Sequence, residues 1–354
     1  MIYIIDYYYQ WFFVLFFSVF GFSFFWLKPR YGWAAATFFF YAALSSLYVW
    51  VFKDNRYVTV GPYNQMALRY FAADSLAKLV LVLFPLSLVF EKRVRLDAWA
   101  TLFSIFSFVN CLVIFGQFLF HGCVASNSCG GFVGNPSISA GLMVCMLPIM
   151  VRSIREQWLL FGSVILAVFI SKSSIPVGLL ALYLAFMFFP TTWKSFLISS
   201  FLGAFTLFVG YLANGAEFLN NSDRFMIWKY MMTRWAAPAN IPTGVGLGTY
   251  HVFSINLQAD KGVAPGYYWN WLHNNWLTFV FEMGVIGGLL ACIVYLVALR
   301  NSYLANRKDA LIALVLFGVY MFLNPALNAP FSAFFGAWLF LYVLRRDALQ
   351  YRFF

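Results

Sequence analysis

Long apolar runs separated by short polar connections repeat along the chain from residue 7 to residue 344. A helix needs about 20 apolar residues to cross the hydrocarbon of a bilayer. The runs predict eleven spans, at 7–27, 33–52, 66–90, 98–120, 136–151, 157–170, 175–190, 195–213, 272–299, 310–323 and 330–344. All are expected to be helical, because backbone that faces lipid must satisfy its own hydrogen bonds. The first run is too long for the apolar region of a cleavable signal and lacks a small-residue cleavage site, so it reads as a span. The one long connection is 214–271. Within it "NSDRFMIWKYMMTRW", 221–235, sets Phe225, Trp228, Met232 and Trp235 on one helical stripe behind a capping Asn221 or Ser222. That pattern predicts a helix lying in the membrane interface with its apolar face down. No internal repeat and no interrupted span is legible.

Composition agrees with this reading. Hydrophobic residues make up 63% and charged residues 10%, with 44 Phe and 13 Trp. A soluble domain is about a quarter charged. The expected fold is an all-α polytopic integral membrane protein, a single transmembrane domain over 1–354 with about 11 transmembrane helices (10–12). Charge then orients it. Fourteen of the 23 Lys and Arg fall on alternate connections that include Lys28, Lys92, Arg152, Arg300 and Arg345; seven fall on the opposite set. Arg69 and Lys78 lie inside the third predicted span. The richer side is expected to be cytoplasmic. The net charge of +11 is therefore a topology signal, and no nucleic-acid module or partner is indicated.

The chemistry collects on the other side. His121, His251 and His273 all map to outer connections or their edges. Cys123 and Cys129, in "HGCVASNSCGG", form a candidate disulfide if the compartment is oxidising. Cys111, Cys145 and Cys292 lie in spans and read as inert packing. No spacing indicates a metal site, and no cofactor is expected. Gly244, Gly246 and Gly248, in "PTGVGLGTYHVF", lack the strand and helix of a nucleotide-binding turn and read as a close-packed loop under a bulky substrate. His273-Asn274-Asn275 opens the ninth span, and Glu282 lies nine residues beyond His273. An isolated His at a helix lip is commonly structural, and Glu282 could simply bond a neighbouring helix. Intramembrane charges are nonetheless functional candidates by default. Asp74 and Lys78, four apart, read as a structural pair. Arg69, Lys172 in "ISKSSIP" and Arg224 place cations at the outer leaflet, where they suit an anionic ligand such as a polyprenyl diphosphate. Lys229 and Arg234 could equally meet lipid head groups. The segment "GGFVGNPSISAG", 130–141, is either a partly re-entrant stretch or an ordinary turn before a helix.

In order, "GFVGNPSISAGLM", "SKSS", "DRFMIW", "PTGVGLGTY" and "HNNWLTFVFEMGVIGG" resemble the O-antigen ligase and O-antigen polymerase superfamily, over about 130–290. The resemblance implies ten to fourteen helices with one large periplasmic loop late in the chain, here 214–271, in a bacterial inner membrane. Where that family commonly carries Arg, this chain has Lys172, which keeps the charge and loses the two-pronged geometry.

The implied activity is metal-independent glycosyl transfer at the periplasmic face. The donor would be a glycan on undecaprenyl diphosphate. The acceptor would be a hydroxyl of lipid A-core, of another lipid-linked glycan or of a protein. His273 and Arg224 would be catalytic; Lys172, Arg69, Asn274, Gly246 and Glu282 would line the donor and glycan site. Polymerase and protein O-oligosaccharyltransferase activities share this donor. A lipid-linked glycan flippase or other transporter is the reading from another class, and a non-catalytic envelope scaffold is a further one. Transporters tend to show repeated halves and broken helices.

Overall fold

The structure, a computed structural model, describes residues 33–52, 57–60, 64–67, 96–122, 129–131, 135–151, 157–188, 223–236, 240–250, 273–304, 306–324, 327 and 336. The predicted spans 7–27 and 195–213, most of 66–90 and nearly all of 330–344 lie outside these residues, as does the Asp74 and Lys78 pair.

In chain order the described elements are α1 (Trp33–Phe52), β1 (Tyr57–Val60), β2 (Asn64–Ala67), α2 (Leu96–His121), α3 (Pro136–Met150), α4 (Trp158–Ile170), α5 (Ser174–Phe188), α6 (Asp223–Trp235), α7 (Asn275–Leu304) and α8 (Lys308–Leu323). Seven of these helices coincide with predicted apolar runs to within a few residues, and α6 with the predicted helix of the long loop. Phe103–Phe120 of α2 and Asn275–Leu304 of α7 are long and apolar enough to cross a membrane. Outward-facing side chains are large and apolar: Phe120 is 84% exposed, and Ile286, Leu289, Ile293 and Leu296 form an exposed row on α7. These four recur at intervals of three and four, which is one helical face.

Two features depart from the sequence reading. The connection after α1 is an antiparallel hairpin, with Tyr57 opposite Ala67 and Val60 opposite Asn64. Its second strand takes Met66 and Ala67 from the predicted third span. Tyr57-Val58-Thr59-Val60 is aromatic and β-branched, so it favours a pleated strand. The second departure is in α7, which is interrupted at Gly284, where φ is 69° and ψ is −172°. That conformation belongs to glycine.

The chain divides into two compact units, Met1–Phe84 with Leu202–Leu296 and Pro85–Phe201 with Val297–Phe354, the boundary falling within α7. The second unit is built around α3. All fifteen of its residues but Ser137 are buried. A helix that is apolar all round must be enclosed by others. Here α2, α4, α5 and α8 all pack on it. Its start is well specified. The Asn135 side chain accepts from the Ile138 N–H at 3.1 Å, and Pro136 takes the first turn, where its missing N–H costs nothing. The Tyr320 hydroxyl donates to the Ile138 carbonyl at 2.9 Å. Asn110 Nδ2 donates to Ser139 Oγ at 2.8 Å, and Asn324 Nδ2 to Ser137 Oγ at 2.9 Å. Within its described residues, the segment over 130–141 thus runs into a capped helix. Gly131 adopts φ 59° and packs against the Asn110 side chain.

The first unit packs α6 onto the loop over 240–250 and onto the N-terminal half of α7. Ile227 and Met231 of α6, Val245 and Tyr250 of the loop and Phe281 of α7 form one buried cluster, flanked by Trp228, Tyr230 and Leu277. The face that α6 buries therefore centres on Ile227 and Met231. The stripe expected to face lipid, read through Trp228 and Met232, lies beside it and is half-buried. Ile227 and Met231 find a protein surface, and apolar burial against protein turns the helix toward it.

Candidate functional site

The site grows out of the break in α7. Interrupting a helix frees carbonyls on one side and N–H groups on the other, and each costs several kcal/mol if left unpaired in apolar surroundings. Five of these groups have identified partners. The Phe281 carbonyl accepts from the Val245 N–H at 3.1 Å and the Glu282 carbonyl from the Gly246 N–H at 2.8 Å. The Met283 carbonyl accepts from the Tyr41 hydroxyl at 3.1 Å. On the far side the Val285 N–H donates to the Ile241 carbonyl at 2.9 Å, and the Ile286 N–H to the Pro242 carbonyl at 3.3 Å. The loop over 240–250 thus continues the hydrogen bonding that the helix gives up.

Such an approach leaves no room for side chains. A Cβ on Gly284 would strike the Pro242 carbonyl, and one on Gly244 would strike the Glu282 carbonyl and the Gly284 nitrogen. Gly244, Gly246 and Gly248 have φ of 76°, 107° and 81°. Gly246 packs its Cα against Val49 of α1, whose Tyr41 and Ser45 share that face at four-residue spacing. Ser45 Oγ accepts from the Leu247 N–H at 3.0 Å. Gly246 is therefore a close-packing residue within the loop, and its N–H is committed to α7.

Glu282 is buried, and its Oε1 accepts from the Tyr250 N–H at 3.2 Å. This carboxylate ties the end of the glycine loop to α7, as the plainer sequence reading allowed. Tyr250 is enclosed with it. Burial first, and the Glu282 charge second, push the Tyr250 phenol well above its ordinary value.

Two turns above the break is the lip of α7. His273 is half-buried, with backbone in the left-handed region at φ 54°. For a non-glycine residue this conformation costs about 1–2 kcal/mol. Asn274 follows and is fully buried. Its Oδ1 accepts from the Leu277 N–H at 3.0 Å, and its carbonyl accepts from the Thr278 N–H at 3.0 Å and the Thr278 hydroxyl at 2.9 Å. Asn274 is thus the cap of α7. Its Nδ2 has no hydrogen-bond partner among the described residues. A buried donor left so costs about 1–3 kcal/mol.

Gly246 and Glu282 therefore join the glycine loop to α7 beside the cluster that also holds α6, the helix with Arg224 in its first turn, while His273 and Asn274 lie at the start of α7. Arg69, Cys123 and His251 lie outside the described residues. Cys129 is disulfide-bonded and buried. Lys172 belongs to the second unit, in the turn between α4 and α5, exposed and at φ 50°. Ser171 Oγ caps that turn by accepting from the Ser173 N–H at 3.4 Å. Sequence reasoning missed Tyr41, Ser45 and Tyr250. For Tyr41 and Ser45 the signal was a hydroxyl pair four apart in an apolar helix; for Tyr250 the chain order held none. The chain matches no protein-family model and no curated protein.

Proposed function

We propose that the protein is a polytopic membrane glycosyltransferase that moves a glycan from undecaprenyl diphosphate to an acceptor hydroxyl at the outer face of a bacterial inner membrane. The reading includes about eleven spans and a periplasmic loop over 214–271. The observation that carries it is the assembly of α6, the glycine loop and the N-terminal half of α7 through one apolar cluster. The cluster joins α6, the helix that carries Arg224 in its first turn, to α7, the helix that His273 precedes, and so supports the reading. The outward row of apolar side chains on α7 supports immersion in lipid.

In the proposed reaction the acceptor oxygen attacks the anomeric carbon of the donor sugar. The bond from that carbon to the diphosphate oxygen breaks, and its electron pair leaves with the phosphate. Negative charge grows on the leaving oxygen, where the positive charge assigned to Arg224 stabilises it. The acceptor proton passes to the His273 imidazole. Base catalysis of this kind contributes roughly 100- to 10,000-fold. The diphosphate is a good leaving group, so no divalent ion is required.

The test uses purified full-length protein in nanodiscs, undecaprenyl-diphosphate glycan and separate acceptors. Transfer to lipid A-core is expected, with no loss on adding a chelator. Transfer to a second lipid-linked glycan or to a protein hydroxyl would mark the polymerase or protein-modifying alternative. His273→Ala should slow transfer about 100-fold or more, and Arg224→Ala should abolish it; a near wild-type rate for His273→Ala would remove the base assignment.

The break in α7 revives the transporter reading, since broken helices line many transport sites. Its partners weaken that reading: the carbonyls of 281–283 and the N–H groups of 285 and 286 already bond the protein. Glycan movement across liposomes without transfer would favour it.

A further inference from the structure

We propose that the Asn274 side-chain amide is a binding site for a phosphate oxygen at the N-terminal end of α7. The inference rests on the transferase reading and adds a neutral donor to the cations assigned to the diphosphate.

The orientation of the carboxamide is fixed. Its Oδ1 faces the Leu277 N–H at 3.0 Å, and exchanging oxygen and nitrogen would set two donors against each other. The Nδ2 group is therefore committed to the other side, fully buried and with no acceptor among the described residues. Buried donors in native proteins are nearly always paired, and exceptions gather where a ligand completes the set.

Position selects the ligand. The amide lies over the first turn of α7, where N–H groups concentrate partial positive charge. An oxygen carrying negative charge is the acceptor that such an end favours, and phosphate is its commonest form. The nearest acid on the helix, Glu282, is engaged two turns away by the Tyr250 N–H. His273, immediately before Asn274, holds a left-handed backbone. Strain of this kind persists where the surroundings over-determine a residue, commonly at a ligand site. Strained backbone and unused donor on successive residues describe a lip held ready for an incoming group. A polyprenyl diphosphate and a bulk anionic phospholipid both present such an oxygen.

Full-length protein in phosphatidylcholine nanodiscs, titrated with undecaprenyl diphosphate, tests this. Asn274→Asp keeps the cap acceptor and removes the donor; Asn274→Ser keeps a cap acceptor without adding charge and replaces the amide donor with a shorter hydroxyl. Both should bind undecaprenyl diphosphate about ten- to a hundredfold more weakly, with thermal unfolding close to wild type. Phosphatidylglycerol in the disc separates the sources. Failure to compete assigns the amide to the diphosphate, and equal competition supports the phosphate oxygen while assigning it to bulk lipid. Affinities within twofold of wild type in both variants would overturn the proposal. So would weakened binding that only tracks a lowered unfolding temperature and is restored on stabilising the fold by cooling. If wild type transfers glycan and both variants bind normally, this inference fails and the transferase reading stands. Asn274-dependent binding without any transfer gives the reverse.

Discussion

α3 in one unit and α7 in the other each contain a residue that disturbs a helix, Pro148 and Gly284. In α3 the disturbance is harmless. Pro148 lies two residues before the end of the helix at Met150, and the Val151 N–H still reaches the Leu147 carbonyl at 2.8 Å. Apolar neighbours suffice, because a nearly regular helix satisfies its own backbone. In α7 the disturbance falls inside the element, and a second segment must supply the missing donors and acceptors one by one. Around Pro148 the first arrangement asks its neighbours only for side chains of suitable volume. The second depends on particular atoms, and on two backbones close enough that neither can carry a Cβ.

The sharpest way to break this contrast is Gly284→Ala or Gly244→Ala. Each forces an L-residue into a left-handed conformation and drives a methyl into opposing backbone. Destabilisation of about 3 kcal/mol or more is expected, read as a lower unfolding temperature in detergent. An unfolding temperature unchanged by Gly284→Ala would mean that the clamp is not closed in solution.

Glu282 sharpens it further. Glu282→Ala leaves the Tyr250 N–H without its carboxylate and should cost about 1–3 kcal/mol. Glu282→Gln keeps an acceptor and should cost less, about 1 kcal/mol at most. The same substitution should lower the Tyr250 ionisation point in a spectrophotometric titration, yet leave it above the ordinary 10.0, because burial is the larger cause. The sign for stability follows from proton counting. The unfolded tyrosine ionises near 10.0 and the folded one only well above, so the unfolded chain binds fewer protons between the two. This contribution is complete below pH 10 and is lost as pH rises past it.

In the α3 unit the expected effects are smaller. Tyr320→Phe removes the bond to the Ile138 carbonyl and should cost about 1 kcal/mol in unfolding experiments. At the other end of the scale, Gly162→Ala in α4 meets nothing within 4 Å and should stabilise by about 0.5 kcal/mol. A loss of stability there would show that the second unit is more exacting than its packing implies.

The lip of α7 shows where legibility stopped. Polar residues opening an apolar run marked His273 and Asn274 as candidates, since polar groups at that depth need a reason. Glu282 was noticed for the same reason, but nothing in the chain order indicated that its partner is the Tyr250 backbone, which sequence patterns do not reveal. Gly246 was expected in a close-packed loop, and it packs closely against Val49 and α7; a glycine that permits close approach does not say what approaches. Lys172 and Arg224 were grouped by charge and by the side of the membrane they were assigned, and the structure describes them in separate units.

What the sequence determined by itself, among the described residues, is the seven helices that follow its apolar runs. Apolar stretches desolvate the backbone, and a helix answers that demand with bonds four residues apart, so local order is sufficient information. Tertiary structure alone decided the interruption at Gly284, the docking of the glycine loop and the burial of Asn274. Those depend on partners as distant as Tyr41 from Met283, 242 residues apart, and Ser45 from Leu247, 202 apart. No periodicity along the chain encodes which distant atom will satisfy a freed N–H or carbonyl; only the packed backbone brings the two within reach.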